Sequence, residues 1–251
     1  MDFTLRLYRK LLESLIASNY HFQTFEDFLI SPQERAIVLR HDVDLLPRNS
    51  LAFAEIQNEY GLSGSYYFRA VEVSWDDKII QRIAALGHEV GYHYECLTTC
   101  RGDIQKGLAD FEQNLERLRK LVPVSTICMH GSPLSKFDSR DLWEFHSYRD
   151  FGIIGEPYFD VDFSKVLYLT DTGRRWDGDK VSVRDKVGSK NHPFKTTCDI
   201  IAAADAGQLP AQIMFTFHPQ RWDDHSVPWV KELVLQNAKN VIKKYFFVKN
   251  T

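Results

Sequence analysis

Apolar positions along the chain fall into two alternating rhythms. Short apolar runs of strand length occur at Ala36–Arg40, Ser65–Arg69, His88–Tyr92, Val124–Met129, Phe151–Ile154, Val166–Thr170 and Ala211–Phe217. Between them lie stretches with helical spacing. In residues 4–17, Leu5, Leu7, Leu11, Leu12 and Leu15 sit near one face. Asp103–Leu121 is the clearest helix, with Ile104, Leu108, Phe111, Leu115 and Leu118 on one stripe and charges between them. Further helices are predicted at Ser50–Tyr60, Asp77–Leu86, Asp141–Phe145, Thr196–Ala206 and Pro228–Lys244, and Gly87 stands where a C-terminal cap belongs. Strands alternating with helices imply a parallel sheet with crossover helices. Closed, such a sheet is a barrel; open, it is doubly wound. Either architecture places ligands at the carboxyl ends of the strands.

Composition narrows the function classes. The 251 residues are 44% hydrophobic and 26% charged, an ordinary globular balance, without repeats or low-complexity segments. The formal charge is −3 and the pI about 6.3, which argues against a nucleic-acid partner. Arg6, Arg9, Lys10 and Glu13 interrupt the apolar residues of the first helix, and no apolar run has the length of a signal peptide or a membrane span. The expectation is a cytoplasmic protein with free thiols and no membrane partner. Of the four cysteines, Cys96 and Cys100 lack a second close pair that would complete a metal motif, and Cys128 reads as a small core residue.

Polar residues cluster just after the apolar runs. In Arg40-His41-Asp42-Val43-Asp44, extended backbone puts Asp42 and Asp44 on one face and His41 and Val43 on the other. Two carboxylates at a strand end can divide the work, one holding a divalent cation and the other free as a general base. In Gly87-His88-Glu89-Val90-Gly91-Tyr92-His93-Tyr94-Glu95, His88 and His93 face opposite sides, so they do not share an ion; His93 is the ligand candidate and His88 reads as structural. In His130-Gly131-Ser132-Pro133, Gly131 allows close backbone approach and leaves His130 and Ser132 available to a substrate or an ion. Arg174 and Arg175 beside Trp176 suit an anionic or sugar-like group, with the indole as a stacking platform. His218, after the last run, suits proton donation near neutral pH.

In their order, the Asp-x-Asp pair, GHEVGYH and the late His218-Pro219 resemble the polysaccharide deacetylases of the chitooligosaccharide-deacetylase type, over roughly Ala36 to Trp222. The resemblance implies an α/β fold, a distorted (β/α)7 TIM-like barrel, and hydrolysis of N- or O-acetyl groups on sugars with a divalent metal, zinc by expectation. It implies that Asp42 is the general base, that Asp44 and His93 hold the metal, and that His218 assists as acid or orients the reaction. The family's second metal-binding His falls here on Leu97, which has no donor atom. His130 is the expected replacement, with Glu95 the second choice. Residues 1–251 are expected to form a single domain, with 1–35 a helical extension packed on it. The expected partner is a small-molecule or sugar-containing substrate, and the sequence gives no sign of oligomeric state. Two other readings stay open: a metal-independent hydrolase of a small cyclic amide, and a silent carbohydrate-binding protein that keeps the barrel mouth.

Overall fold

The computed structural model describes residues 1–132, 135–177 and 192–246, with 242–246 described by backbone alone. Its elements in chain order are α1 (Leu5–Ala17), β1 (His21–Gln23), α2 (Phe25–Ile30), β2 (Ala36–Val43), α3 (Pro47–Glu59), β3 (Ser65–Phe68), α4 (Asp77–Ala85) and β4 (Glu89–Tyr94). They continue with α5 (Cys96–Thr99), α6 (Ile104–Arg119), β5 (Ile127–Met129), α7 (Pro157–Asp160), β6 (Leu167–Thr170), α8 (Thr197–Asp205), β7 (Gln212–Phe217) and α9 (Ser226–Phe246). Helix starts follow their caps: Asp103 accepts from Lys106 N at the start of α6, and Thr196 forms a capping box with Asp199 at α8.

All strand pairs are parallel, in the order β5-β4-β3-β2-β7-β6. β2 is the hub. Its first half pairs with β1, its second half with β3, and its other edge with β7, with Ala36 beside Gln212. Side chains alternate strictly between two apolar clusters. Ala36, Val38, Tyr67, Cys128, Tyr168 and Met214 fill the inside of the curled sheet. Ile37, Leu39, Tyr66, Phe68, Ile127, Leu169, Ile213 and Phe215 face the helices. A sheet with two buried faces that packs a cluster on its concave side is the distorted barrel expected from the sequence. Among the described residues no strand pairing closes β5 to β6.

Two expectations differ from the structure. Phe151–Ile154 is not a strand. A 3₁₀ turn occupies Tyr148–Phe151, Gly152 takes a left-handed φ of 69°, and only a single bridge, Thr126 to Gly155, joins the segment to the sheet. The seventh strand is instead β1, three residues within the stretch 1–35 read as a helical extension. No described helix is long and apolar enough to cross a membrane.

Candidate metal and hydrolytic centre

The inner face of β2 carries Arg40 and Asp42 in turn above Val38, and Asp44 follows just past the strand end. His41 points the other way, stacked on Tyr66 at 4.1 Å between ring centroids. The Arg40 guanidinium grips Asp42 with both arms, at 2.8 and 2.6 Å, in a fully buried pair. Burial alone would raise the Asp42 carboxyl; the adjacent guanidinium outweighs it and holds the group below the usual carboxylate range.

Asp44, His93 and His130 converge from the ends of β2, β4 and β5. Asp44 Oδ1 lies 3.6 Å from His93 Nε2 and 3.4 Å from His130 Nε2. That oxygen is buried and has no hydrogen-bond partner. His93 Nδ1 lies 2.9 Å from the Cys128 carbonyl oxygen, which accepts its proton, and His130 Nδ1 lies 3.0 Å from Glu95 Oε2. With both Nδ1 protons so engaged, both Nε2 lone pairs face Asp44. One unpartnered carboxylate oxygen and two imidazole nitrogens fit a divalent cation of the zinc type, with the outer ring nitrogens held by a carbonyl and a carboxylate. Asp42, His93 and Cys128 also lie within reach of one another. That alternative set is the poorer one, because the Arg40 cation beside Asp42 repels a second cation there.

His218 approaches from the end of β7. Its Nε2 lies 3.9 Å from Asp44 Oδ2, and its Nδ1 lies 2.6 Å from Asp171 Oδ1. Asp171 is fully buried and also accepts from Arg221 and from Trp222 Nε1 at 2.7 Å. Burial would raise this carboxyl, and His218 and Arg221 beside it bring it below its ordinary value. Gln220 Nε2 donates to Asp44 Oδ2 at 3.3 Å.

Glu95 is the other organising carboxylate. Arg69 Nε donates to its Oε1 at 2.8 Å, and Ser132 Oγ donates to its Oε2 at 3.2 Å. Burial raises the Glu95 carboxyl, and the His130 and Arg69 partners overcome this and hold it at about 2. Glu95 thus stands behind His130 rather than beside Asp44. An open cleft of about 530 Å³, lined by Arg69, Glu95, Thr98, His130, Ser132 and Phe137 among others, flanks the cluster.

Three of the residues expected to touch substrate are engaged with other parts of the protein. Trp176 is fully buried, donates from Nε1 to Thr197 Oγ1, and packs edge-on against Phe215, Phe217 and Trp222. It is a core residue, not a stacking platform. The Arg174 guanidinium lies over the Trp229 ring at 4.4 Å, and Arg175 is paired with Asp177 at 2.5 and 2.7 Å. Leu97 is buried on α5, its side chain aimed at Gly107. His88 is buried, with Nδ1 accepting from Gly64 N and Nε2 facing the Ala54 carbonyl.

Sequence reasoning missed Arg40 as the partner of Asp42, although the two-residue spacing on β2 carries the signal. It also missed Asp171, which opens the segment read only for its arginines and indole.

A curled parallel sheet with a His/Asp donor cluster at the carboxyl ends of its strands defines a class of barrel with a candidate metal-hydrolase site. No protein-family model and no curated protein matches the chain. Among solved structures, it is similar to a Streptococcus mutans CE4 esterase (12% identity, TM-score 0.46, 87% of this chain and 85% of that one). It is similar also to the catalytic domain of a peptidoglycan N-acetylglucosamine deacetylase from Eubacterium rectale (14%, TM-score 0.46, 83% and 86%). A third is a CE4 family pseudoenzyme from Bacillus anthracis (11%, TM-score 0.42); the match covers 85% of this chain and 63% of that one.

Proposed function

We propose that the protein is a metal-assisted hydrolase that removes an acyl group, acetyl in the first instance, from a sugar-containing small molecule or glycan precursor. The observation that carries this reading is the buried, unpartnered Oδ1 of Asp44 facing two Nε2 atoms whose ring partners leave their lone pairs free. Asp44, His93 and His130 would hold the ion. A divalent ion bound there would supply Lewis acidity, polarising an acyl oxygen and lowering the pKa of a water toward about 7. Asp42 takes the proton of the attacking water; each of its oxygens gives one lone pair to Arg40 and keeps another. His218, with Nδ1 fixed by Asp171 and Nε2 toward the cluster, returns a proton to the departing amine or alkoxide. The substrate lies in the cleft beside His130, where Ser132 contributes a hydroxyl. The cytoplasmic location expected from the sequence belongs to this proposal and favours a soluble substrate.

Metal analysis of the purified protein, before and after chelation, tests the reading. Stoichiometric metal, lost in Asp44→Ala and His93→Ala, is expected. Asp42→Asn is expected to keep its metal and lose about 10²–10⁴-fold in turnover of N- and O-acetylated sugars. Undiminished hydrolysis after chelation would assign the same residues to a metal-independent amidohydrolase, and binding of glycans without product would mark a silent barrel.

A further inference from the structure

We propose that Arg69 and Glu95 form one positioning unit that aligns His130 with Asp44. The inference rests on the reading of Asp44, His93 and His130 as cation ligands.

The two oxygens of Glu95 face opposite ways. Oε1 accepts from Arg69 Nε at 2.8 Å and lies 2.7 Å from its second terminal nitrogen. Oε2 meets His130 Nδ1 at 3.0 Å and Ser132 Oγ at 3.2 Å. The remaining arm of Arg69 donates to the backbone carbonyl of Asp44 at 3.2 Å. A single guanidinium therefore touches the carboxylate that orients one donor and the peptide that carries the other. The backbone of Arg69 is fixed in turn, since its N–H donates to Ser74 Oγ at 3.1 Å and that hydroxyl donates to the Val43 carbonyl.

These bonds begin where the ladder stops. The last paired residues are Val43 with Phe68 and Tyr94 with Met129. Beyond them, single backbone bonds still tie His130 N to the Tyr94 carbonyl at 2.9 Å and Leu46 N to the Val73 carbonyl at 3.0 Å, but the imidazole of His130 is placed by side chains. An imidazole past a strand end has two rotational states and two tautomers. An acceptor on Nδ1 selects the one that turns Nε2 to Asp44. Arg69 suits this task because its planar fork spans two acceptors, which a lysine ammonium on a flexible stem does not. The pair is partly solvated, with side chains 19% and 12% exposed, so its removal should leave the fold standing.

The test uses the full chain, stripped by chelation and titrated with Zn²⁺ against a chromophoric competitor, with Co²⁺ absorption as a second readout. Glu95→Gln keeps the shape and loses the charge; Zn²⁺ affinity is expected to fall 10–100-fold. Arg69→Lys keeps the charge and loses the span, with an expected loss of about tenfold. Both metal-free variants should melt within a few degrees of the parent protein, while the rise in Tm on adding Zn²⁺ shrinks. The Co²⁺ band should lose intensity or shift in Glu95→Gln. Wild-type Zn²⁺ affinity and an unchanged Co²⁺ spectrum in both variants would overturn the proposal and leave the metal reading intact. Absence of Zn²⁺ binding by the parent protein would overturn both.

Discussion

His41 and Asp42 are neighbours in the chain and occupy opposite environments. Asp42 faces the cluster, charged and gripped by Arg40, while His41 is sealed among Tyr66, Phe53 and Phe217. Its Nδ1 meets the Ser65 carbonyl at 3.1 Å and its Nε2 meets the Gln57 amide nitrogen at 2.8 Å. One ring nitrogen donates and the other accepts, so a second proton has nowhere to go. Burial accordingly lowers its pKa to about 3. The unfolded chain takes that proton near pH 6.5 and the native state does not, so this contribution to stability is complete above 6.5 and is lost as pH falls toward 3. The His41 ring resonances are expected not to titrate between pH 8 and 5, and a shift with a midpoint near 6.5 would refute the burial argument. The period-two pattern made the shared face of Asp42 and Asp44 readable, since it needs only extended backbone. It did not expose Trp176, because an indole between arginines reads alike whether its loop turns inward or outward. Only the aromatic packing around Phe3 and Trp222 decides that.

At the scale of elements, long periodic segments were legible and short ones were not. The Asp103–Leu121 stripe became α6 with Asp103 as its cap, because five apolar residues and an acidic start agree on one helix. The His21–Gln23 strand has three residues and no apolar alternation, and it exists because the edge of β2 is there to receive it. His130 is the same case within the site, since nothing local distinguishes it from an ordinary strand-ending turn and its role depends on the β4–β5 register. That register also explains Gly91, on the inner face of β4. A Cβ there would sit 2.8 Å from the Thr126 carbonyl oxygen and closer still to the Tyr67 ring. Gly91→Ala is expected to destabilise the protein by about 1–3 kcal/mol through overpacking, read as a lowered Tm. An unchanged Tm would mean that the Tyr67 ring moves aside freely.

For the whole molecule, two buried groups pull stability in opposite directions with pH. Glu156 is fully buried, and its oxygens accept from Met129 N at 2.9 Å and Tyr158 N at 2.5 Å. Burial raises its pKa to about 7, beyond what these bonds and the nearby arginines offset. Between about pH 4.5 and 7 the unfolded chain has released this proton and the native state keeps it, so stability falls as pH rises, by about 1.4 kcal/mol per unit. His41 contributes the opposite slope over much of the same range. Urea unfolding of Glu156→Gln at pH 5 and 7 is expected to reveal a clear gain toward pH 7 that the parent protein shows less. Equal slopes in the two proteins would show that Glu156 ionises normally in the fold.

The pairing of β2 with β7 sets a condition on how the molecule comes into being. The hub strand carries Asp42 and leads directly into Asp44, yet one of its edges is covered only by residues 212–217. A chain emerging from synthesis holds β1 to β5 long before that partner exists. Until then it presents an open strand edge able to pair with other chains. The high sequence separation of the β2–β7 contact makes its closure slow. The assembled Asp/His cluster and the protection of that edge therefore arrive in the same late event, and a chain cut before Gln212 should form neither.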